Sequence, residues 1–258
     1  MPQILLKIQD HVATLTLNRP NKGNALTAVM IDQLQSYLDQ LKNNVNIRVI
    51  VLTGAGKYFC SGLDLSTTSL TDKKIQEDTF DQGIQVFDTL YHYPKPVIAR
   101  INGPCLGGGV GLVFTTDIRI AHQNAYFALS EVKRGLVPAI ISQYIVPELG
   151  PHKAKEYMLT GRRVSASELH GALSATVSSE ADLDTKVNHY TDLLLESAPG
   201  AMSSIKRLVH VIGENDPQKA KHVKDTFLQM MKSKEAAYGI QSFMNEKKPD
   251  WSTLYSKL

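Results

Sequence analysis

Apolar residues in the first half of the chain recur first at strand spacing and then at helix spacing. Residues 4–8 and 11–17 are two β-rich runs separated by a short polar turn, and they predict a pair of strands. Behind Thr27, a suitable N-cap, apolar residues follow at every third or fourth position and predict a helix. The nearly continuous apolar run 47–53 is typical of a strand covered on both faces.

A second apolar run, Val97–Ile101, leads into three consecutive glycines, Gly107–Gly109, and then into a helix pattern of small residues. This order predicts a strand, a tight turn and a helix. Backbone N–H groups at such a helix start have no partner inside the helix, and they suit a phosphate or a developing oxyanion. The glycines could equally serve to pack the helix tightly on a sheet, and both interpretations are open at this point.

Strands and helices alternate early in the chain, whereas helical patterns dominate its last part. This arrangement predicts an α/β fold with a helical C-terminal segment. The stretch Ser66–Asp81 is polar and predicts a mobile loop or an irregular helix, after which helical spacing returns at Ile84.

The composition is that of a globular enzyme. The chain has 258 residues, 43% hydrophobic and 21% charged, which suits one large domain and excludes disordered and fibrous classes. The net charge of +3 is mildly basic. Late lysines such as Lys219 and Lys248 are typical of solvated helix faces, and no nucleic-acid module is present. We therefore expect no nucleic-acid partner. No apolar run approaches the roughly 20 residues of a membrane span, so we expect no membrane partner either.

The cysteines, the histidines and the two ends of the chain add further expectations. Cys60 and Cys105 have no CxxC spacing and are expected to be small core residues in a reducing compartment. The histidines lack metal-site spacing, so no metal is expected. The N-terminus lacks the features of a secretory signal. The final Ser256-Lys257-Leu258 is a peroxisomal address if the source is a eukaryote, and the chain would be cytoplasmic in a bacterium.

Several motifs in a fixed order agree with one protein family. In chain order they are Leu17–Leu26, Phe59–Leu65, Asn102–Ile118, Ser130–Pro138, Leu159–Arg162 and Lys247–Trp251. Together they resemble the enoyl-CoA hydratase/isomerase superfamily, also called the crotonase family, and the match extends over essentially the whole chain.

The resemblance implies a fold, a substrate class and an assembly. The fold would be a crotonase-like spiral of ββα repeats over residues 1–195, and residues 196–258 would form a helical segment that mediates trimers or dimers of trimers. The substrates would be acyl-CoA thioesters, with coenzyme A as part of the substrate and no further cofactor. A peroxisomal import receptor would be a partner in a eukaryote.

The resemblance also implies site residues. The backbone N–H groups of Leu63 and Gly108 would form an oxyanion hole, which stabilises the enolate of a thioester more than its ground state. The implied CoA contacts are Lys22, Asn24, Ala25, Leu26, Gly62, Asp64 and Leu65.

The carboxylates decide the reaction, and here the chain departs from the family's hydratase pattern. Of the two expected glutamates only the second, Glu131, is present, and Gly111 occupies the position of the first. Three activities are therefore open: hydration of a 2-enoyl-CoA, possibly branched, by Glu131 alone, which we prefer; Δ3,Δ2-enoyl-CoA isomerisation; and acyl-CoA binding without catalysis. A carboxylate from the polar stretch could replace the missing one, the candidates being Asp72, Glu77 and Asp78.

Overall fold

The structure of the protein, a computed structural model, describes residues 2–67, 71–213 and 216–252. The tripeptide Ser256–Leu258 lies outside these residues. Among the described residues, no helix has both the length and the apolar character required to cross a membrane.

The chain begins with the predicted pair of strands. Strands β1 (Ile4–Gln9) and β2 (Val12–Leu17) pair antiparallel. Asp10 and His11 connect them with φ angles of 45° and 69°. Two successive positive φ angles belong to the tight hairpin turn whose twist matches that of the strands.

The first helix and the next strand also follow the predicted pattern. Helix α1 (Ala28–Lys42) begins behind Thr27, whose side chain accepts a hydrogen bond from the N–H of Met30 at 3.1 Å. Strand β3 (Val49–Gly54) is buried along its whole length and pairs parallel with β2. The apolar run therefore forms a strand inside the sheet, as predicted.

Two sheets organise the core of the molecule. The larger sheet has the order β1-β2-β3-β4-β6-β9, in which all pairs except β1 with β2 are parallel. The smaller sheet has the order β5-β7-β8. The remaining strands are β4 (Val97–Ile101), β5 (Cys105–Leu106), β6 (Ile118–His122), β7 (Tyr126–Ala128), β8 (Val164–Ser165) and β9 (Ala175–Val177).

Three helices pack on one side of this framework. They are α2 (Lys73–Tyr91), α3 (Gly108–Phe114) and α4 (Ala139–Thr160). Helix α4 is kinked at Gly150, where φ is 72°. The prediction for Ser66–Asp81 needs correction, because a regular helix already begins at Lys73 behind an Asp72 N-cap.

Helices follow β9 in the described part of the chain, and the first of them covers the other face of the large sheet. They are α5 (Glu180–Leu195), α6 (Pro199–Gly213), α7 (Lys219–Met231) and α8 (Lys234–Met244). Leu183 and Val187 of α5 pack against buried strand residues such as Ile98. Lys206 of α6 contacts Asp117 at 2.7 Å, which ties this helix to the core. The predicted division at residue 195 and the trimerisation role stay predictions.

Candidate active site

Two glycine-containing turns lie against each other at the ends of β3 and β4. A Cβ atom added to Gly62 would lie 2.8 Å from the carbonyl oxygen of Leu106 and 3.2 Å from the nitrogen of Gly108. One added to Gly109 would lie 2.2 Å from the carbonyl oxygen of Cys60. These distances are too short for a side chain, so glycine allows the two backbones to touch. The φ angle of +92° at Gly62 requires glycine for a second reason.

The contact between the turns leaves two N–H groups without partners. Leu26 forms a parallel bridge with Leu63, in which Leu26 donates to Gly62 and accepts from Asp64, each at 2.8 Å. The N–H of Leu63 therefore points away from Leu26. A Cβ atom added to Gly108 would lie 3.7 Å from the nitrogen of Leu63. In the described part of the chain, neither the Leu63 nor the Gly108 N–H has a hydrogen-bond acceptor.

The C-terminal end of α3 is held by an arginine that the sequence analysis missed. Arg119 of β6 is buried and donates to the carbonyl oxygens of Val113 at 3.1 Å, Phe114 at 3.2 Å and Thr116 at 3.0 Å. Its guanidinium also pairs with Glu148 at 2.8 Å. Because Arg119 donates hydrogen bonds to the carbonyl groups at the end of α3, it holds in position the helix that carries Gly108.

Glu131 lies beside the same turn. It belongs to a short 3₁₀ helix, Ser130–Arg134, that ends at Gly135 with a φ of 70°. A Cβ atom added to Gly107 would lie 2.9 Å from Oε1 of Glu131. Oε2 of Glu131 is buried and has no hydrogen-bond partner among the described residues. The structure thus places a partly buried carboxyl group beside the turn that carries the Gly108 N–H, and the catalytic roles of these groups stay predictions.

The surroundings of Glu131 favour its protonated form. Burial raises the pKa of its carboxyl group above the ordinary value of 4.5, and this effect outweighs the opposing influence of its own backbone and of the Arg134 charge. A carboxyl group with a raised pKa can both accept and return a proton near neutral pH.

Gly111 faces apolar side chains. A Cβ atom added there would lie 2.3 Å from Cγ2 of Ile141 and 3.0 Å from Cε1 of Phe87. Ile141 comes from α4 and Phe87 from α2, and both are buried. Sequence reasoning did not identify these two residues, since their contact with Gly111 depends on how three helices pack.

The predicted CoA contacts differ in their access to solvent. Lys22 is exposed, Ala25 and Asp64 are partly buried, and Leu65 is 45% exposed. Leu26 and Gly62 are buried beneath this surface. Leu63, whose nitrogen lies near Gly108, is 38% exposed. The exposed and partly buried residues among the predicted CoA contacts lie on the solvent-facing side of the two glycine-containing turns.

Asn24 needs a correction. The residue is 0% exposed, and its side-chain nitrogen donates to the carbonyl oxygens of Ala55 at 2.9 Å and Tyr58 at 2.7 Å. Its oxygen accepts from the N–H of Arg19 at 2.9 Å. A side chain with no exposed surface cannot contact a ligand, so Asn24 holds the loop in place instead.

Arg19 connects the two loops that carry the predicted CoA contacts. Its guanidinium donates to the carbonyl oxygen of Ala25 and pairs with Asp64 at 3.0 Å. Asp64 also accepts from the side chain of Ser66 at 2.6 Å, and these bonds lower the pKa of its carboxyl group. The sequence motif contained Arg19, but nothing in the motif indicated its partner.

The three candidate replacement carboxylates are exposed and belong to the start of α2. Asp72 accepts from the N–H of Ile75 at 3.1 Å as the N-cap, and Glu77 pairs with Lys73 at 3.5 Å. Asp78 is exposed on the next position of the helix. That one of these residues supplies the carboxylate that is missing at position 111 stays a prediction.

The two cysteines lie under the turns. Both are fully buried and free, as expected for core residues. Burial raises the pKa of Cys60 to about 12 and also raises the pKa of Cys105. Thiols with such raised pKa values are poor nucleophiles at neutral pH.

A separate cavity lies away from the glycine turns. It has a volume of about 610 Å³ and lies between β9 and α5, with Gln123, Lys186 and His189 among its lining residues. Neither Glu131 nor the glycine turns line it, so this cavity is separate from the candidate site.

The chain is similar to known proteins both in sequence and in overall fold. The family model described as enoyl-CoA hydratase/isomerase matches residues 7–253. The enoyl-CoA hydratase AKT6-1 of Alternaria alternata is 35% identical over 248 residues, which are 93% of this chain and 80% of the relative. The enoyl-CoA hydratase EchA19 of Mycobacterium tuberculosis is 30% identical over 260 residues, 97% of this chain and 96% of the relative. A crystal structure of an enoyl-CoA hydratase from Shewanella pealeana superposes with a TM-score of 0.91 at 30% identity and covers 96% of each chain.

Proposed function

The chain belongs to the enoyl-CoA hydratase/isomerase family, and from this membership and the site geometry we propose that it adds water to a 2-enoyl-CoA thioester. The observation that supports the proposal most strongly is the combination of two unpartnered N–H groups with one buried, partly unpartnered carboxyl group. Relatives named enoyl-CoA hydratases favour the same reaction.

The first step of the proposed reaction takes place at the thioester carbonyl. Its oxygen accepts hydrogen bonds from the N–H groups of Leu63 and Gly108. Negative charge grows on this oxygen when the double bond is attacked, so the two donors stabilise the enolate more than the substrate. Loss of one such donor typically costs on the order of 10²–10³ in rate.

Glu131 then carries the proton. As a carboxylate it removes a proton from water while the water oxygen bonds to C3, and the electrons of the double bond move onto the thioester. The protonated carboxyl group next gives the same proton to C2. The product has gained one hydroxyl group and one hydrogen, and Glu131 returns to its starting form.

An activity assay tests this assignment. Purified protein is given a short 2-enoyl-CoA, and Glu131→Gln is expected to lower kcat by about 10²–10⁴ because the amide cannot accept the proton. Asp192→Asn, on the exposed side of α5 and on the other face of the large sheet, is the matched control and keeps wild-type kcat. Hydration by Glu131→Gln at the wild-type rate would refute the role of Glu131.

Δ3,Δ2-enoyl-CoA isomerisation is the second candidate, and one observation favours it. Gly111 of α3 carries no carboxylate, and the volume next to it is filled by Ile141 and Phe87. One carboxylate suffices to move a proton from C2 to C4. Turnover of a 3-enoyl-CoA without hydration of the 2-enoyl-CoA would support the isomerase, and binding of both without turnover would support a non-catalytic role.

We also propose how the substrate's nucleotide and the protein's own copies are bound. Lys22 and the neighbouring loop residues would contact the CoA moiety, since they surround the open edge of the two turns. The C-terminal helices would form a trimer interface, because they expose a series of large apolar side chains. These include Ile205, Val209, Phe227, Met231, Ile240, Phe243 and Met244.

A further inference from the structure

Three helices meet closely behind Glu131. A Cβ atom added to Gly111 of α3 would lie 2.3 Å from Cγ2 and 2.9 Å from Cβ of Ile141 in α4. The same atom would lie 3.0 Å from Cε1 of Phe87 in α2. Side chains do not approach one another this closely, so Ile141 and Phe87 occupy the volume that a side chain at residue 111 would need.

These two apolar residues have little freedom to move away. Phe87 packs on Tyr144 of α4 with ring centroids 5.9 Å apart, and the Tyr144 hydroxyl donates to Asp88 of α2 at 2.7 Å. At the next turn of α2, a Cβ atom added to Gly83 would lie 3.0 Å from Cδ1 of Ile140. The contacts before and after Ile141 along α4 thus hold this helix against α2, so Ile141 cannot shift away from Gly111.

The register of α3 places residue 111 near Glu131. The N–H of Gly111 donates to the carbonyl oxygen of Gly107 at 3.2 Å, so the first turn of α3 brings the backbones of these two residues close together. Gly107 is the residue whose added Cβ atom would lie 2.9 Å from Oε1 of Glu131. A carboxylate carried by residue 111 would therefore be near Glu131, where a second group could hold the attacking water.

We propose that Ile141, supported by Phe87, is the residue that keeps the site at a single carboxylate. The packing of Ile141 against Gly111 excludes a carboxylate at position 111, so a change at Gly111 alone cannot create one. The predicted effect on catalysis rests on the proposed hydration. The exclusion of a side chain at position 111 rests only on the packing of the three helices.

Four proteins test the inference: wild type, Gly111→Glu, Ile141→Ala and the double variant. Gly111→Glu alone is expected to lower Tm by roughly 5–10 °C, since overpacking a core destabilises it. Ile141→Ala removes the clashing Cγ2 atom. The double variant is therefore expected to have a higher Tm than the sum of the two single losses predicts.

Activity provides a measurement that packing alone would not change. The double variant is expected to hydrate a 2-enoyl-CoA at least about tenfold faster than Ile141→Ala, because a second carboxyl group can hold the water. Its ratio of hydration to 3-enoyl-CoA isomerisation should rise, and the pH profile of kcat should gain the titration of a second group. Gly171→Glu is the matched control, since a Cβ atom at Gly171 meets no atom within 4 Å.

A smaller pair of substitutions covers the case in which Gly111→Glu does not fold. Gly111→Ala adds only the Cβ atom that clashes with Ile141, and Ile141→Ala combined with it should recover part of the lost Tm. The inference is overturned if the two Tm losses simply add, or if Gly111→Glu alone keeps the wild-type Tm and gains hydration. Absence of turnover in the wild type, with the Tm losses still non-additive, would refute the proposed function and support the packing assignment.

Discussion

At the scale of single residues, Glu131 combines two properties that rarely occur together at a solvated surface. One of its oxygens is buried without a partner in the described chain, and burial raises its pKa. A buried polar atom without a partner costs stability unless a ligand or a proton satisfies it. The cost is consistent with a residue kept for chemistry and not for folding.

The raised pKa predicts a dependence of stability on pH. The folded protein holds the Glu131 proton more tightly than the unfolded chain, so this contribution to stability is complete below the unfolded pKa of about 4.5. It is lost as the pH rises through the higher folded pKa. We therefore expect the free energy of unfolding of the wild type to fall relative to that of Glu131→Gln as the pH rises above about 4.5.

Urea unfolding at a series of pH values measures this difference. Glu77→Gln controls for the loss of one negative charge at an exposed position. A difference between wild type and Glu131→Gln that stays constant over the whole range would contradict a raised pKa of Glu131.

Sequence patterns identified some residues correctly and misjudged others for physical reasons. Thr27 and the buried strand β3 were predictable, because capping and apolar runs are local signals. Asn24 was misjudged because its role depends on a φ of 56° and on carbonyl groups more than 30 residues away. Ile141 could not be found, since its contact with Gly111 exists only after α3 and α4 pack.

At the scale of elements, the site depends on two loops that a single side chain connects. Arg19 bonds to Ala25 in one loop and to Asp64 in the other. The N–H of Asp64 in turn donates to Leu26, beside the bridge that orients Leu63. Arg19 therefore acts as a positioning residue for the predicted CoA contacts and for one of the two N–H donors.

Arg19→Met is expected to raise KM for the acyl-CoA by roughly tenfold or more, because charge-assisted hydrogen bonds between the loops are lost. Steady-state kinetics on a 2-enoyl-CoA measures this change. Arg19→Lys keeps the charge but lacks the planar guanidinium that bonds to Ala25 and Asp64 together, so it should recover only part of the lost affinity for the acyl-CoA. An unchanged KM and kcat in Arg19→Met would show that the loops hold their positions without this connection.

The elements themselves were largely predictable, and the start of α2 was the exception. Residues 73–81 are mostly exposed and polar, and the two apolar residues among them, Ile75 and Phe80, are five positions apart and do not form the apolar stripe by which a helix is recognised in a sequence. The Asp72 N-cap was the local signal that could have indicated the helix start. Comparison with the Shewanella pealeana structure confirms the predicted fold class over 96% of the chain.

At the scale of the whole molecule, the C-terminal helices have large apolar side chains that the described part of the chain leaves exposed. Phe243 at the end of α8 is 84% exposed, and further large apolar side chains of α6 and α7 are also exposed. Many exposed large apolar side chains on neighbouring helices are typical of protein interfaces. The single chain is thus expected to be one member of an assembly.

Phe243→Lys is expected to shift the protein from the proposed trimer towards the monomer, because a charge in an apolar interface is costly. Light scattering coupled to size-exclusion chromatography measures the mass in solution. Val45→Lys, which places a lysine at an exposed apolar residue between α1 and β3, should leave the mass unchanged. A monomeric wild-type protein at micromolar concentration would contradict the proposed interface.

The most direct measurement of the central claim is hydration of a 2-enoyl-CoA in D₂O by the wild type and by Glu131→Gln. The account predicts that the wild-type product carries one deuterium at C2, delivered by Glu131, and that Glu131→Gln forms this product about 10²–10⁴ times more slowly. Formation of the same deuterated product at the same rate by both proteins would show that another group moves the proton, and would contradict the account.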